Sequence, residues 1–184
     1  MSLKQTVLIP VAHGVEDLET VTLIDVLRRA DLDVTVASLE AGREVTCARG
    51  TRVVADALFA DVAAREFTLI ACPGGKAGAE AQGRHAGLIA RLKAQRTAQR
   101  WIAAICAAPA LALSPHGLLD GKKATCYPAF KDRVLHWVDQ PVVVDGHCVT
   151  SQGPGTALAF ALCLVESLRG SAIRQEVAAG MLAT

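Results

Sequence analysis

Short aliphatic runs alternate along this chain with amphipathic stretches, a pattern that is compatible with few folds. The runs at residues 6–12, 32–39, 67–72 and 100–105 predict buried strands. Amphipathic or strongly apolar stretches at residues 18–30, 85–99 and 155–170 predict helices. Because strand–helix–strand units join parallel strands, we expect an α/β protein with a mainly parallel sheet and helices on both of its faces.

Several shorter segments complete the predicted sheet. Residues 44–55 alternate around Arg49-Gly50 and predict a small β-hairpin attached to the sheet. Residues 122–127, 141–145 and 147–151 predict three further short strands. There is no internal repeat, low-complexity tract or linker, and 52% of the residues are apolar, which is enough for a full core. We therefore expect a single domain over residues 1–184.

The charge balance and the cysteine spacing limit the partners that the chain is expected to have. The chain holds 19 basic and 18 acidic residues without a long block of either sign, so neither nucleic acid nor a membrane surface is expected as a partner. Its first residues hold no apolar stretch suited to a signal peptide or a membrane span, which favours a cytoplasmic location. The six cysteines form no CxxC pair, no histidines have metal-ligand spacing, and no phosphate-binding loop is present. Reduced thiols, no metal and no cofactor are therefore expected.

The segment AAICAAPA, residues 103–110, places Cys106 directly after a predicted strand. Ala104 and Ala108 lie two residues before and two after it, where a nucleophile elbow requires small side chains. Pro109 suits the first turn of a following helix, and the positive end of that helix is expected to lower the pKa of the thiol. The pattern predicts a nucleophile, although a buried structural cysteine in an Ala-rich junction would fit it as well.

Two other loops are expected at the same edge of the sheet, because parallel strands end there together. Gly74 and Gly75 follow the strand at 67–72, and the N–H of Gly75 with that of Ala107 could form an oxyanion hole; a plain Pro-Gly-Gly turn is the alternative.

The acidic cluster after the first strand is the second of these loops. Of its carboxyl groups, Glu16 or Asp17 is expected to cap the next helix, as acidic residues of a first turn commonly do. Glu19 is the candidate general acid or base, and it is expected to hold a proton if it lies near the thiolate. His13 lies at the same edge and could contact a ligand or simply belong to the loop.

Taken together, these segments resemble the ThiJ/PfpI superfamily, in the branch that holds DJ-one and the bacterial YajL. The resemblance runs nearly end to end and rests on seven segments. They are GVEDLETV (14–21), DVLRRA (25–30), TCARG (46–50), PGG (73–75), AAICAAPA (103–110), PAFKD (128–132) and TSQGPGT (150–156). The resemblance implies a flavodoxin-like three-layer sandwich with a domain akin to the class I glutamine amidotransferases. It also implies a homodimer, for which the helix predicted at residues 18–30 and the hairpin around Cys47 are candidate contact surfaces.

The resemblance also implies roles for particular residues. Cys106 would be the reactive, easily oxidised cysteine, Glu19 the protonated carboxyl that hydrogen-bonds to it, and Gly75 and Ala107 the backbone donors. Six further residues are possible members of the pocket: His13, Glu16, Arg49, Gly74, Tyr127 and Pro128.

The activity implied by the resemblance is stress-response chemistry on small reactive carbonyls. This would be a cofactor-independent, glyoxalase-like or deglycase-like conversion of methylglyoxal or its adducts with thiols and amines. A non-catalytic chaperone that senses oxidation through the same cysteine is the alternative.

Other reactions of the superfamily are less favoured by the residues present. PfpI-type peptidases have a histidine after the cysteine, where this chain has Ala107, and glutamine amidotransferases need a downstream His-x-Glu triplet that this sequence lacks. Animal members have a histidine where this chain has Tyr127 before Pro128, so a possible proton shuttle is absent.

Overall fold

A seven-stranded sheet forms the centre of the protein in a computed structural model that describes residues 5–183. Its strand order is β5-β2-β1-β6-β7-β9-β8, and β8 is antiparallel to its neighbour while the other pairs are parallel. The strands of this sheet are β1 (Thr6–Val11), β2 (Asp33–Ser38), β5 (Ala57–Leu58), β6 (Leu69–Cys72), β7 (Trp101–Ile105), β8 (Val142–Asp145) and β9 (Cys148–Ser151). A separate antiparallel hairpin consists of β3 (Glu44–Thr46) and β4 (Arg52–Val54).

Helices cover this sheet in two groups that pack among themselves. The helices are α1 (Asp17–Arg29), α2 (Phe59–Val62), α3 (Lys76–Arg84), α4 (Ala86–Thr97), α5 (Ala157–Arg169) and α6 (Ser171–Gly180). Helix α1 packs against α5, and α5 against α6, whereas α3 packs against α4. The fold is the flavodoxin-like sandwich that was expected. Its central strands β1, β6 and β7 are buried except at Thr6 and Trp101, which begin β1 and β7 and are partly buried, as the continuous aliphatic runs predict.

Two predictions about individual elements were wrong. Residues 122–127 form no strand of the sheet, since only Ala124 makes a bridge, to Trp137. The backbone N–H groups of this segment donate elsewhere, for example from Thr125 to the Thr150 hydroxyl and from Tyr127 to the Cys106 carbonyl. The hairpin is not attached to the large sheet, because β5 directly after it takes the place beside β2.

Three helices were missed by the pattern analysis, the shortest of them α2 with four residues. Helix α3 has the sequence KAGAEAQGR, in which Gly and Ala replace the large apolar residues that mark helical periodicity. Helix α6 lies beyond the predicted closing helix at 155–170, which corresponds to α5, and Gly170 with a φ of 86° separates the two.

The six cysteines are unpaired; Cys163 is half-buried and the other five are buried. No helix within residues 5–183 is long and apolar enough to cross a membrane. Within the same residues no three His, Cys, Asp or Glu side chains lie close enough together to hold a metal ion.

Candidate active site

Cys106 occupies a strained turn at the carboxyl end of β7. Its φ is 64°, in the left-handed region that side-chain-bearing residues rarely adopt. Its neighbours hold this conformation: the Cys106 N–H donates to the Ser151 carbonyl at 2.9 Å, and its carbonyl accepts from the Tyr127 N–H at 2.7 Å. The turn leads into a short wide helical turn, Pro109–Leu113. The backbone is therefore fixed from β9 on one side and from the segment at 127 on the other.

Gly74 is required where three parts of the chain converge. A Cβ on Gly74 would lie 2.5 Å from the Cys106 Cβ, 2.6 Å from the Glu19 Oε2 and 2.7 Å from the Ile105 carbonyl oxygen. Real Cβ atoms do not approach neighbours so closely, so a side chain here would push the Glu19 carboxyl and the Cys106 turn apart. The glycine sets the spacing between carboxyl and thiol.

Glu19 lies fully buried in the first turn of α1. Its Oε2 accepts the Gly74 N–H at 2.8 Å, while its Oε1 has no hydrogen-bond partner among the described residues, and its carboxyl interacts with the Cys106 thiol. Burial raises the pKa of Glu19 to about 7, against the lowering effect of the Gly74 and Cys106 hydrogen bonds. A buried carboxyl oxygen that accepts nothing is suited to carry the proton and donate it toward the sulfur.

The pKa of the Cys106 thiol is raised, whereas the sequence analysis predicted that it would be lowered. Burial, and secondly the negative charge of Glu19, raise the pKa of Cys106 to about 12, while the N–H groups of Gly75 and Ala107 act to lower it. The helix-dipole argument fails because the turn after Cys106 is only five residues long, whereas the sulfur is enclosed and faces a carboxyl. A proton on Glu19 removes the repulsion between the two groups, so carboxyl and thiol titrate as a pair.

Gly75 places its N–H beside the sulfur because its own backbone is left-handed. Its φ is 81°, and a Cβ there would lie 2.3 Å from the Gly14 carbonyl oxygen and 2.6 Å from the Glu16 nitrogen. The N–H groups of Gly75 and Ala107 both act on the Cys106 sulfur. These two donors therefore lie where an oxyanion formed on a sulfur-bound carbon would need them.

Cys106 lines an open cleft with a volume of about 730 Å³. Of the residues that were predicted as site members, Glu16, Arg49, Gly75, Cys106, Ala107 and Tyr127 line it, and Gly14, Cys47, Ala48, Lys76, Ala77, Phe130 and Pro154 complete the lining. Glu19 and Gly74 lie beneath, against the thiol. The Cys106 thiol is therefore buried, but it borders an open cleft.

Two predicted pocket residues do not line the cleft. The exposed His13 ties the loop after β1 to the hairpin: its Nδ1 accepts the Thr46 N–H at 3.0 Å, and its own N–H donates to Glu40. Pro128 begins the exposed turn Pro128–Arg133. Both belong to the structure around the cleft, which is a sufficient reason for their presence.

Tyr127 lies at the rim, where the animal members of the superfamily have a histidine. Its side chain is 45% exposed and lies beside Phe130, with ring centroids 6.3 Å apart, and beside Gly153. No histidine lines this cleft in the portion of the chain that is described. The ring therefore forms an apolar wall with a polar tip.

Lys76 and Phe130 are lining residues that the sequence reasoning missed. Lys76 is the first residue of α3 and directly follows the two glycines. Its position next to a predicted donor, at the edge where the strands end, was the available signal. Phe130 lies in the PAFKD segment, whose place at the cleft depends on the Tyr127 N–H bond to the Cys106 carbonyl.

Comparison with known proteins shows which family the chain resembles. The model of the DJ-1/PfpI family matches residues 5–167. The curated relative Protein DJ-1 homolog B of Arabidopsis thaliana is 48% identical over 174 residues; these cover 93% of this chain but 40% of the relative, so the chain spans less than half of that protein's length. The glutathione-independent glyoxalase DJR-1.2 of Caenorhabditis elegans is 36% identical, over 84% of this chain and 83% of that protein.

A solved structure extends the likeness to the whole described fold. The structure of oxidized Toxoplasma gondii DJ-1 superposes with a TM-score of 0.95 at 43% sequence identity, covering 97% of this chain and 98% of that one. The family match, the identities and the shared architecture have one consequence: the chain belongs to the DJ-1/PfpI family.

Proposed function

We propose that this protein converts small α-oxoaldehydes such as methylglyoxal to α-hydroxy acids, with the Cys106 sulfur as nucleophile. The observation that carries the proposal is the buried Glu19 carboxyl against the Cys106 thiol, with the N–H groups of Gly75 and Ala107 beside the sulfur. A relative that is 36% identical bears the name glutathione-independent glyoxalase, which supports the same chemistry.

The first proposed step is addition of the sulfur to the aldehyde carbon. As the thiolate forms the C–S bond, the carbonyl electron pair moves to oxygen, and the resulting alkoxide accepts hydrogen bonds from the Gly75 and Ala107 N–H groups. The thiolate forms when the thiol proton passes to the Glu19 carboxylate. Glu19 then gives this proton to the alkoxide, so the product is a neutral hemithioacetal on Cys106 and Glu19 is again a carboxylate.

Glu19 then moves a proton between the two carbons of the adduct. Its carboxylate removes the hydrogen on the sulfur-bound carbon as a proton and returns it to the neighbouring ketone carbon, while the hydroxyl proton of the hemithioacetal passes to the ketone oxygen. The former carbon is thereby oxidised to a thioester and the latter reduced to an alcohol. Water hydrolyses the resulting thioester and releases lactate and the free thiol. The sum is methylglyoxal plus water to lactate, which needs no external oxidant or reductant. Deglycase-type release from thiol or amine adducts is a variant of the same addition and hydrolysis.

The proposal is tested by measuring D- and L-lactate formed from methylglyoxal, in a reductant that does not scavenge aldehydes. Cys106→Ser and Glu19→Gln are each expected to reduce kcat/KM by at least about 100-fold, since they remove the nucleophile and the proton carrier. Cys163→Ser, on the distant helix α5, is the control for loss of a thiol. Substantial lactate formation by either site variant contradicts the mechanism.

A peptidase activity is not favoured by the same site. Cysteine peptidases need a base that takes the thiol proton, usually a histidine, and the residue after Cys106 is alanine. Glu19 is the neighbouring titratable group here, and it is buried beneath the sulfur rather than placed toward a leaving amine.

Redox sensing is the second candidate function, and the Glu19 carboxyl favours it as well. A protonated carboxyl donates a hydrogen bond to a sulfinate, which forms when a thiolate consumes two molecules of peroxide and releases two of water. The name of the Toxoplasma structure records an oxidized state of that protein.

Dilute hydrogen peroxide followed by peptide mapping tests this second function. We expect addition of two oxygens at Cys106 ahead of the other five cysteines, and slower addition in Glu19→Gln. The candidate is refuted if oxygen is distributed without preference among the six.

Two further proposals concern the setting of the protein. We propose that it is a homodimer, because Leu18, Val21 and Val54 leave apolar side chains about half exposed or more on α1 and β4. We also propose a cytoplasmic location, which the six free thiols support because reducing compartments preserve them.

A further inference from the structure

The outer part of the cleft is lined by two cations without partners. The ammonium of Lys76, at the first position of α3, and the guanidinium of Arg49, in the hairpin turn, both line the cleft and are exposed. Neither side chain forms an ion pair or a hydrogen bond within residues 5–183. By contrast, Arg28, Arg29, Arg52 and Arg100 on the remaining surface are each paired with a carboxylate.

The acidic groups nearby leave these cations free. Glu16 is the carboxylate that lines the cleft, and its Oε2 accepts the Glu19 N–H at 2.9 Å as the cap of α1. Asp17 does not line the cleft; its two oxygens accept the backbone N–H groups of Arg49 and Thr51. The Asp17 carboxylate thus binds backbone N–H groups of the hairpin turn and leaves the guanidinium of Arg49 available.

The position of the cations indicates where a ligand's charge would lie. Cys106, Lys76 and Arg49 line the same cleft, but the thiol is buried whereas the two cations are exposed. The cations therefore lie in the outer part of the cleft and the sulfur in its inner part. A molecule that reacts at the sulfur would meet them with the end remote from its reacting carbon.

We infer that the cleft selects carbonyl compounds that carry a carboxylate remote from the carbonyl, and that Lys76 and Arg49 bind this carboxylate. The inference rests on the proposed function for the carbonyl and on the cleft itself for the anion. A single negative charge fits better than the double charge of a phosphate, because the Glu16 carboxylate lines the same cleft and repels additional negative charge. Tyr127 and Phe130 line the cleft as well and contribute apolar surface for the part of the ligand between its two ends.

A pair of maleimides tests the inference without requiring turnover. N-ethylmaleimide is neutral, 3-maleimidopropionate carries a carboxylate remote from the ring, and both react by adding the thiol across the ring double bond. The quantity measured is the ratio of their second-order rate constants at Cys106, anionic over neutral, by peptide mapping that separates Cys106 from Cys47. The ratio cancels any change in the reactivity of the sulfur itself.

Lys76→Gln and Arg49→Gln are each expected to lower this ratio by about 2- to 5-fold at low ionic strength, and the double variant by more. Lys76→Glu is expected to lower it further, and added salt is expected to bring all variants together. Lys93→Gln, which removes a charge from the exposed face of α4, is the matched control and should leave the ratio unchanged.

The inference is overturned if the ratio in Lys76→Gln equals that in Lys93→Gln, or if the wild-type ratio is insensitive to salt. Lactate formation is measured on the same preparations. If the ratio depends on charge but no lactate forms, the anion site is supported and the glyoxalase proposal is contradicted. If lactate forms but the ratio does not depend on charge, only the anion site is contradicted.

Discussion

The Glu19 carboxyl and the Cys106 thiol each influence whether the other group keeps its proton. Glu19 is an acidic side chain whose folded environment favours its neutral form, because it is enclosed and because the Glu16 carboxylate lies nearby. Cys106 is likewise driven toward its neutral form by burial and by an ionised Glu19. The pair thus loses a proton with difficulty, and its first ionisation depends on the backbone N–H groups that surround it.

This proton makes the stability of the protein depend on pH. Glu19 has a pKa of about 7 in the folded state against an ordinary value of 4.5, so between these values the folded state binds a proton that the unfolded state has lost. Stability must therefore fall as pH rises from 4.5 to 7, by up to about 3 kcal/mol from this group. Below pH 4.5 both states are protonated and the contribution is constant.

Urea unfolding at pH 5, 6, 7 and 8 measures this dependence. Glu19→Gln keeps the size of the side chain without its titration, so we expect its stability to change less with pH than that of the wild type. Glu176→Gln, at an exposed position of α6, should follow the wild type. Parallel profiles for wild type and Glu19→Gln would show that the carboxyl is not held neutral in the folded state.

At the scale of elements, the strands and the elbow could be predicted, whereas the helix beside the elbow could not. Continuous aliphatic runs have few alternatives to buried strands, and Ala104, Cys106 and Ala108 have the spacing of a turn that needs small residues. Helix α3 lacks such a pattern because it packs closely through glycine: a Cβ on Gly78 would lie 2.6 Å from the Val15 backbone nitrogen. Close packing removes the large apolar residues from which helices are predicted.

The parts of the site that resisted prediction depend on contacts between distant segments. The raised thiol pKa follows from enclosure of the sulfur and from Glu19, 87 positions away along the chain, and a local dipole argument contains neither effect. Lys76 could have been noticed from its place after Gly75, but its freedom from ion pairs required the arrangement of the neighbouring carboxylates. His13 was near the right edge, and its bond to the Thr46 N–H explains it without a ligand.

At the scale of the whole molecule, the exposed apolar residues proposed as the dimer contact lie on α1 and β4, which also carry or adjoin residues of the site. Leu18 and Val21 lie on the helix that carries Glu19, and Val54 lies on the hairpin that presents Arg49. A second copy packed there would restrain both elements that border the cleft. Association and site geometry would then be coupled.

Light scattering during size-exclusion chromatography tests the association. The wild type is expected to have about twice the mass of one chain, and Val21→Glu is expected to shift it toward a single chain by placing a charge in the apolar contact. Leu135→Glu, at another exposed apolar position, is the control and should leave the mass unchanged. A wild-type protein of single-chain mass, or an unaffected Val21→Glu, would contradict the proposal.

The clamp on the Cys106 backbone has a consequence for the order of events during synthesis. One of its two hydrogen bonds runs from the Cys106 N–H to the carbonyl of Ser151 in β9. Ser151 is synthesised 45 residues after the cysteine. Until that strand has paired with β7, the left-handed turn has no support, and Gly75 and Ala107 have no fixed relation to the sulfur. The nascent chain therefore exposes Cys106 on an unconstrained backbone, and the left-handed turn beside Gly75 and Ala107 is assembled only when the last strands of the sheet are in place.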